Sequence, residues 1–234
     1  EQFVFYADED NVPYGTKTKE QVMEYVRTAF DFLMTQDVKA IVTACNTATS
    51  VAVAEMRRRY SVPIIGMEPA VKKALDLDAE HRVLVTATPI TVSGRKMELL
   101  IEKVDKDNLI DRLALPELVL FAERQEFRSP AVTEYLREQF AAYDFADYSA
   151  IVLGCTHFNY FKDTMREIVP DHIRFVDGNE GTVRELVRRL QERHGLEQLP
   201  QSVEYFYSGH AVTGAAELER VSQFMLRLDQ MYAI

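Results

Sequence analysis

Segments typical of β-strands and of α-helices alternate along the whole of this 234-residue chain. Short apolar runs such as Gln2–Tyr6, Val38–Cys45 and Arg82–Ala87 predict strands, and segments with apolar residues at helical spacing lie between them. One of these segments, Thr18–Gln36, opens with a Thr-x-x-Gln capping box and predicts an amphipathic helix. Strands that alternate with helices form parallel sheets covered by helices, so the sequence predicts an α/β fold.

The two cysteines of the chain occupy matching places in this pattern. Cys45, within Ile41–Thr49, and Cys155, within Ile151–His157, each follow a hydrophobic strand and precede small polar residues. Ligands of open parallel sheets bind just beyond the carboxyl ends of the strands, where helix N-termini present unpaired backbone N–H groups. We therefore expect two similar parallel-sheet lobes that face each other across a cleft, with one cysteine in each.

The chain is long enough to bury two modest hydrophobic cores. We expect residues 1–68 to form lobe one, residues 69–177 to form lobe two, and residues 178–234 to return and complete lobe one. No close internal repeat relates the two cysteine segments residue by residue. The similarity of the lobes is therefore inferred from the matched placement of elements alone.

Composition narrows the possible functions. The chain is 47% hydrophobic and 27% charged, as in ordinary globular proteins, and no apolar run reaches the roughly 18–20 residues that would span a bilayer. A net charge of −10 argues against nucleic-acid binding through a broad basic face. We expect a cytoplasmic protein that binds neither nucleic acid nor membrane, in which a disulfide between the two cysteines would be unusual.

Two cysteines at strand ends are compatible with several kinds of chemistry. Both could simply be small buried hydrophobic residues. Redox pairs are often Cys-x-x-Cys, which this chain lacks. Cys155 and His157, with Cys45 as a third ligand, would suit zinc, but neither local spacing resembles a zinc knuckle, so we expect no metal. Because a thiol needs only modest tuning to act as base or acid near neutrality, proton transfer is the favoured chemistry.

Inversion of a stereocentre by deprotonation needs a base on one face of the carbon and an acid on the other. Two cysteines on opposite walls of a cleft meet that demand, one as thiolate and one as thiol. The carbanion between them needs donors to stabilise it. Asn46, Thr47 and Thr156 lie beside the two cysteines at predicted helix starts, where such donors converge.

At these positions the sequence resembles a known family. Ala44-Cys45-Asn46-Thr47-Ala48 and Gly154-Cys155-Thr156-His157-Phe158 are similar to the two signature motifs of the glutamate racemases, within the aspartate/glutamate racemase superfamily. His157 favours glutamate racemases over aspartate racemases. The similarity covers nearly the whole chain and includes Tyr6-Ala7-Asp8, Pro13-Tyr14-Gly15, Thr88 with Thr91, Leu115 to Glu123, and Tyr207-Ser208-Gly209.

The resemblance implies racemisation of glutamate without a cofactor. Cys45 would take the Cα proton from D-glutamate and Cys155 would take it from L-glutamate. His157 would assist Cys155 and Glu123 would orient His157, while Asp8 would belong to the catalytic set. The substrate-binding residues implied by the resemblance are Tyr14, Gly15, Asn46, Thr47, Thr88, Thr91 and Thr156. The resemblance further implies a homodimer whose D-glutamate feeds bacterial peptidoglycan synthesis, with consequences for the cell wall and cell shape.

Three departures from the family pattern stand out. The strand that normally ends in Asp-Ser-Gly is expected upstream of Glu1, so that lobe one lacks its usual first strand and helix here. Asn159 replaces a proline, and Leu115 replaces a non-catalytic cysteine. Other interpretations also stay open: a racemase or isomerase of another small carboxylate, or a non-catalytic amino-acid-binding homologue. Locally, Thr88 and Thr91 also suit helix capping, Asp8 a turn, and His157 a structural hydrogen bond.

Overall fold

The computed structural model describes residues 1–193, 196 and 199–234. Its strands are β1 (Gln2–Ala7), β2 (Ile41–Thr43), β3 (Ile64–Gly66), β4 (Arg82–Ala87), β5 (Ile110–Ala114), β6 (Tyr148–Leu153), β7 (Arg174–Val176), β8 (Ser202–Tyr207) and β9 (His210–Ala211). Its helices are α1 (Lys19–Met34), α2 (Asn46–Arg59), α3 (Val71–Leu77), α4 (Pro89–Val92), α5 (Arg95–Val104), α6 (Pro116–Glu123), α7 (Pro130–Phe140), α8 (Lys162–Arg166), α9 (Asn179–Arg193) and α10 (Ala215–Met231). Short 3-10 turns cover Tyr14–Thr16, Phe145–Asp147 and Thr156–Phe161. The sequence pattern also predicts a helix over Thr182–His194 that Gly195 stops, and the predicted end at His194 and Gly195 lies outside the described residues.

Helix α1 begins as the sequence predicts. The hydroxyl of Thr18 accepts a hydrogen bond from the Gln21 N–H, and the Gln21 side chain accepts one from the Thr18 N–H. This reciprocal pair satisfies two backbone donors that a helix start leaves without partners. Val22, Val26 and Phe30 follow at a spacing of four residues and are buried against α2.

The first compact unit comprises Glu1–Met67 and Asn179–Ser222. Strands β2 and β3 pair in parallel, and β1 pairs in parallel with β8, to which β9 adds in antiparallel orientation. Strand β2 is shorter than predicted because the carbonyl of Cys45 already accepts the first helical hydrogen bond, from the Thr49 N–H. The strand therefore ends before the cysteine and not at it.

The second compact unit comprises Glu68–Gly178 and Gln223–Ile234. Its four strands are all parallel, in the order β5-β4-β6-β7. The central strands β4 and β6 are buried almost throughout and have nearly continuous apolar sequences, as parallel strands covered on both faces do. Because the strands are parallel, their carboxyl ends meet at one edge of the sheet, which carries Thr88, Leu115 and Cys155.

The predicted α/β class with parallel sheets in two lobes is confirmed. The domain boundaries differ at the C-terminus, where residues 223–234 belong to the second unit and not to lobe one. The reason is Arg227 of α10, which is buried, donates to the carbonyl oxygen of Tyr160 (Nη2, 2.6 Å) and pairs with Asp163 (2.6 Å). A buried guanidinium requires such partners.

Several short elements differ from the sequence prediction. The apolar stretch that ends at Glu123, for which the sequence pattern predicts no particular element, is a helix, α6. The sequence pattern also predicts a helix over Phe161–Val169, and the structure has there only the short helix α8, preceded by a 3-10 turn. Strand β9 has only two residues, too few to show a period. In the described part of the chain, the helices all fall short of the length and apolar character needed to cross a bilayer.

Candidate active site

Cys45 lies at the junction between β2 and α2. It is the N-cap residue of α2, with extended backbone (φ −86°, ψ 122°), and its Sγ accepts a hydrogen bond from the Ala48 N–H at 3.5 Å. The thiol therefore lies beside the N–H groups of the first helical turn, where the helix dipole favours negative charge. This position suits a thiolate.

Asn46 and Thr47 are the first two residues of α2, and both are buried, with 5% and 2% of their surface exposed. Within the part of the chain that the structure describes, Oδ1 of Asn46 is buried without a hydrogen-bond partner. A buried amide oxygen in this state costs free energy, so it is suited to accept a hydrogen bond from an incoming donor such as an ammonium group.

The carboxylate of Asp8, just beyond the end of β1, is held by three side-chain donors. The hydroxyl of Tyr14 donates to Oδ2 at 2.6 Å, the amide of Asn11 donates to Oδ1 at 2.8 Å, and the hydroxyl of Ser208 donates to Oδ1 at 3.3 Å. Asp8 is thus more than a turn residue, because its side chain joins the 3-10 turn at Tyr14–Thr16 to the strand end at Ser208.

Tyr14 stays protonated as part of this network. Burial raises its pKa well above the ordinary value for tyrosine, and the hydrogen bond to Asp8 raises it further. Negative charge on Cys45 also contributes to the raised pKa, so the phenol lies within electrostatic range of that sulfur. The turn that contains Tyr14 and Gly15 packs against α2, so these residues lie next to the helix that Cys45 caps.

Cys155 follows β6 in the second unit and is 6% exposed. Gly154 comes before it, and its N–H donates to the carbonyl oxygen of Thr86 on β4 at 2.7 Å. A Cβ at position 154 would lie 2.7 Å from that same oxygen and 3.0 Å from Cβ of Ala87. Only glycine permits this close approach, which places Cys155 at the carboxyl edge of the four-stranded sheet.

His157 lies between Cys155 and Glu123. Its Nε2 is 2.7 Å from Oε1 of Glu123 at the end of α6, and its Nδ1 is 3.8 Å from Sγ of Cys155. Desolvation lowers the pKa of the ring, but the hydrogen bonds to Cys155 and Glu123 outweigh it and raise the pKa to about 10. The ring is therefore an imidazolium at neutral pH, which donates to Glu123 and presents its second N–H to the sulfur.

Tyr160 completes the surroundings of this pair. Its ring centroid lies 6.5 Å from that of His157, in an edge-on arrangement. Burial raises the pKa of Tyr160 to about 12, and the negative charge of Glu123 contributes. The aromatic ring therefore lies next to the pair of His157 and Glu123.

The three threonines expected to bind substrate in this unit differ in their surroundings. Thr88 and Thr91 are both buried, and the hydroxyl of Thr88 donates to that of Thr91 at 3.1 Å. Thr88 occupies the N-cap position of α4 without a side-chain capping bond, so the capping interpretation does not explain its hydroxyl. Thr156 is partly exposed directly after Cys155, and its carbonyl oxygen accepts from the amide of Asn159 at 3.3 Å.

The predicted residues thus form two groups, one in each unit. The first unit brings together Asp8, Tyr14, Gly15, Cys45, Asn46 and Thr47, and the second brings together Thr88, Thr91, Glu123, Cys155, Thr156 and His157. Leu115, where the family pattern has a cysteine, is fully buried. Both cysteines are described, and neither is in a disulfide.

Sequence reasoning missed Asn11, Ser208 and Tyr160 as neighbours of the site. Asn11 could have been found, because a residue three positions after an aspartate in a turn is within reach of its carboxylate. Ser208 is 200 positions from Asp8, so no local signal connects the two. Over the described ranges, no set of three or more His, Cys, Asp or Glu side chains is arranged to hold a metal ion.

The sequence matches a family model described as Asp/Glu/hydantoin racemase over residues 3–186. A glutamate racemase from Campylobacter curvus (strain 525.92) is 50% identical over 240 aligned residues, which cover all of this chain and 90% of that protein. Among solved structures, glutamate racemase isoform RacE1 from Bacillus anthracis has a TM-score of 0.82 at 23% identity, covering 97% of this chain and 84% of that one. A glutamate racemase from Escherichia coli, in complex with L-glutamate and the activator UDP-MurNAc-Ala, has a TM-score of 0.78 at 25% identity, covering 94% and 84%.

Proposed function

This chain belongs to the Asp/Glu/hydantoin racemase family, and we propose that it interconverts L- and D-glutamate without a cofactor, through two cysteines that exchange protons with Cα. The observation that supports the mechanism best is that each compact unit presents one cysteine at the carboxyl end of a parallel strand. Proteins similar over the full chain carry the name glutamate racemase, which supports glutamate as the substrate.

The chemical step conserves atoms and charge. The thiolate of one cysteine takes the Cα proton, the C–H electron pair stays on the substrate as a carbanion, and an S–H bond forms. The thiol of the other cysteine then donates its proton to the opposite face, and its S–H electron pair remains as a thiolate. In this proposal Cys45 deprotonates D-glutamate and Cys155 deprotonates L-glutamate, so each turnover leaves the enzyme ready for the reverse direction.

In this proposal the neighbouring groups assist the two cysteines and bind the substrate while the carbanion exists. His157, as an imidazolium, directs its Nδ1–H toward Sγ of Cys155. Glu123 accepts a hydrogen bond from Nε2, which keeps the ring protonated and fixes its orientation. Asp8, which accepts a hydrogen bond from Tyr14, assists the proton transfer at Cys45. The α-amino and α-carboxylate groups bind to Asn46, Thr47 and Thr156, and Oδ1 of Asn46 is suited to the ammonium group.

The remaining predicted residues bind the rest of the substrate. Backbone N–H groups of Tyr14 and Gly15 bind the side-chain carboxylate, and the hydroxyls of Thr88 and Thr91 bind substrate oxygens. The enzyme acts in the cytoplasm as a homodimer, and its D-glutamate supplies peptidoglycan synthesis and so the cell wall.

Hydrogen exchange at Cα tests the proposal directly. The purified protein is incubated in D2O with L-glutamate, D-glutamate, L-aspartate or L-alanine, and deuterium at Cα is followed by proton NMR. The expected result is exchange with both enantiomers of glutamate, accompanied by inversion. Exchange with aspartate alone would assign the chain to another small carboxylate, within the range that the family description covers. If none of the four amino acids exchanged its Cα hydrogen, the chain would be a binding protein without turnover.

A further inference from the structure

The turn between β8 and β9 contains an uncommon backbone conformation. Its two residues, Ser208 and Gly209, both have positive φ, 46° and 87°. A two-residue loop of this kind joins antiparallel strands well, but it favours asparagine or aspartate followed by glycine. In this left-handed backbone conformation the Cβ of a serine lies close to the following carbonyl oxygen, so residues other than glycine are disfavoured there. Strain of this kind is often retained at functional sites.

The side chain of Ser208 has two partners in the loop that follows β1. Its Oγ accepts a hydrogen bond from the Asp10 N–H at 3.1 Å and donates to Oδ1 of Asp8 at 3.3 Å. Because the Asp10 N–H occupies one lone pair of the hydroxyl oxygen, the O–H is left to point toward the carboxylate. Ser208 thus bonds to two residues, Asp8 and Asp10, of the turn that begins at Asp8.

The parallel pairing of β1 with β8 explains why these groups meet. Ala7 and Tyr207 are the last paired residues of the two strands, and the Ser208 N–H donates to the carbonyl oxygen of Ala7 at 2.8 Å. Asp8 and Ser208 therefore lie opposite each other one residue beyond the paired strands. Both are at the carboxyl edge of the sheet, where functional groups of parallel sheets gather.

Ser208 differs from the other two side chains that hold Asp8. Asn11 and Tyr14 lie in the same loop as Asp8 and move with it, whereas Ser208 comes from a distant part of the chain. It is the one side-chain donor, among those described for this carboxylate, that ties the loop to the neighbouring strand.

We propose that Ser208 is a positioning residue, which fixes the Asp8 carboxylate and the loop that carries Tyr14 for the proton transfer at Cys45. This inference rests on the proposed function, because it acts through Asp8. The competing explanation is that Ser208 only forms the turn.

Two substitutions separate these explanations. Ser208→Gly removes the hydroxyl and permits positive φ, and Ser208→Ala removes the hydroxyl but keeps the Cβ. If the hydroxyl positions Asp8, both variants lose kcat to a similar extent, about tenfold, the effect expected for one hydrogen bond to a charged group. Both variants lose the same two hydrogen bonds, so the melting temperature of Ser208→Gly is expected to exceed that of Ser208→Ala, because glycine relieves the positive φ that alanine retains. A native kcat in Ser208→Gly would overturn the inference.

Asp37→Gly is the matched control. Asp37 also has positive φ, 52°, is exposed, and lies in the loop between α1 and β2. This variant relieves the same backbone conformation, so its melting temperature is expected to rise or stay level with unchanged kcat. A loss of kcat equal to that of Ser208→Gly would show that glycine itself causes the effect and would contradict the proposal.

A double-mutant cycle tests whether Ser208 acts through Asp8. In an Asp8→Asn background, Ser208→Gly is expected to reduce kcat by less than about twofold, because the group that it positions is already altered. Equal losses in both backgrounds would place the effect elsewhere and refute the positioning role. Glutamate exchange by the native protein is measured in the same series, so failure of the proposed function is seen separately from failure of this inference.

Discussion

Nε2 of His157 lies 2.7 Å from Oε1 of Glu123, which brings the end of α6 against the turn that follows Cys155. Both side chains are about three-quarters buried, with 26% and 25% of their surface exposed. A charge-assisted hydrogen bond of this length in a partly desolvated site holds the ring protonated and fixes its orientation toward the sulfur.

The first prediction concerns pH. The pKa of His157 is raised from 6.5 to about 10 in the folded protein. The pairing of His157 with Glu123 therefore stabilises the fold fully at pH values below the unfolded-state pKa, and this stabilisation is lost as the pH rises through the folded-state pKa. Glu123→Gln should lower the pKa of His157. The difference in the free energy of unfolding between the variant and the native chain should be largest near about pH 6 and should vanish by about pH 10. Urea unfolding across this range measures it.

Glu117→Gln, an exposed substitution on the same helix, is the control for this series. It should show no such pH-dependent difference from the native chain. The basic limb of the pH profile of kcat should also move to lower pH in Glu123→Gln. An unchanged profile would mean that the imidazolium has no part in the reaction.

The second prediction concerns the two cysteines. Cys45→Ser and Cys155→Ser should each reduce racemisation by about 10²–10⁴-fold. The pKa of a serine hydroxyl lies far above that of a thiol, so the hydroxyl does not ionise to supply a base near neutral pH and is a much weaker proton donor. Circular dichroism measures the interconversion of the enantiomers, and the far-ultraviolet spectrum checks that the fold is retained. Full activity in either variant would refute the two-base mechanism.

The third prediction concerns the close approach of β6 to β4. Gly154→Ala would place a Cβ 2.7 Å from the backbone oxygen of Thr86, an atom that cannot move aside without disturbing the sheet. We expect a loss of about 1–3 kcal/mol in the free energy of unfolding, together with reduced kcat, because Cys155 is displaced. Denaturant titration and steady-state kinetics measure the two effects.

Gly181→Ala is the matched control for that substitution. A Cβ at position 181, in the first turn of α9, meets nothing within 4 Å. This variant should be as stable as the native chain or more stable by up to about 1 kcal/mol, since alanine favours the helix. If both variants behaved alike, steric contact at Gly154 would not be the cause.

The fourth prediction concerns Tyr14. Tyr14→Phe removes the 2.6 Å hydrogen bond to Asp8 and should reduce kcat/KM about tenfold, as expected for a bond to a charged acceptor. Tyr25→Phe removes a hydroxyl from the neighbouring ring, whose centroid is 6.1 Å away, and should leave kcat/KM unchanged. Equal effects of the two substitutions would assign the loss to packing.

Much of the local structure follows from the sequence. The capping box at Thr18, the burial of Val22, Val26 and Phe30, and the helix that begins directly after Cys45 all follow from spacing and residue type. These features depend on neighbours within about one or two helical turns, so local patterns are sufficient to predict them. The resemblance of the cysteine motifs then indicated the family.

Only the tertiary structure decided which distant groups meet. Ser208 reaches Asp8 because β8 pairs with β1, and Arg227 draws the end of α10 to Tyr160 and Asp163 in the second unit. The apolar pattern of α10 does not predict the contact of Arg227 with Tyr160 and Asp163, because arginine is a charged residue that the pattern assigns to the exposed face of the helix. Such contacts depend on strand order and on the pairing of buried charges, which are settled only when separate segments pack together.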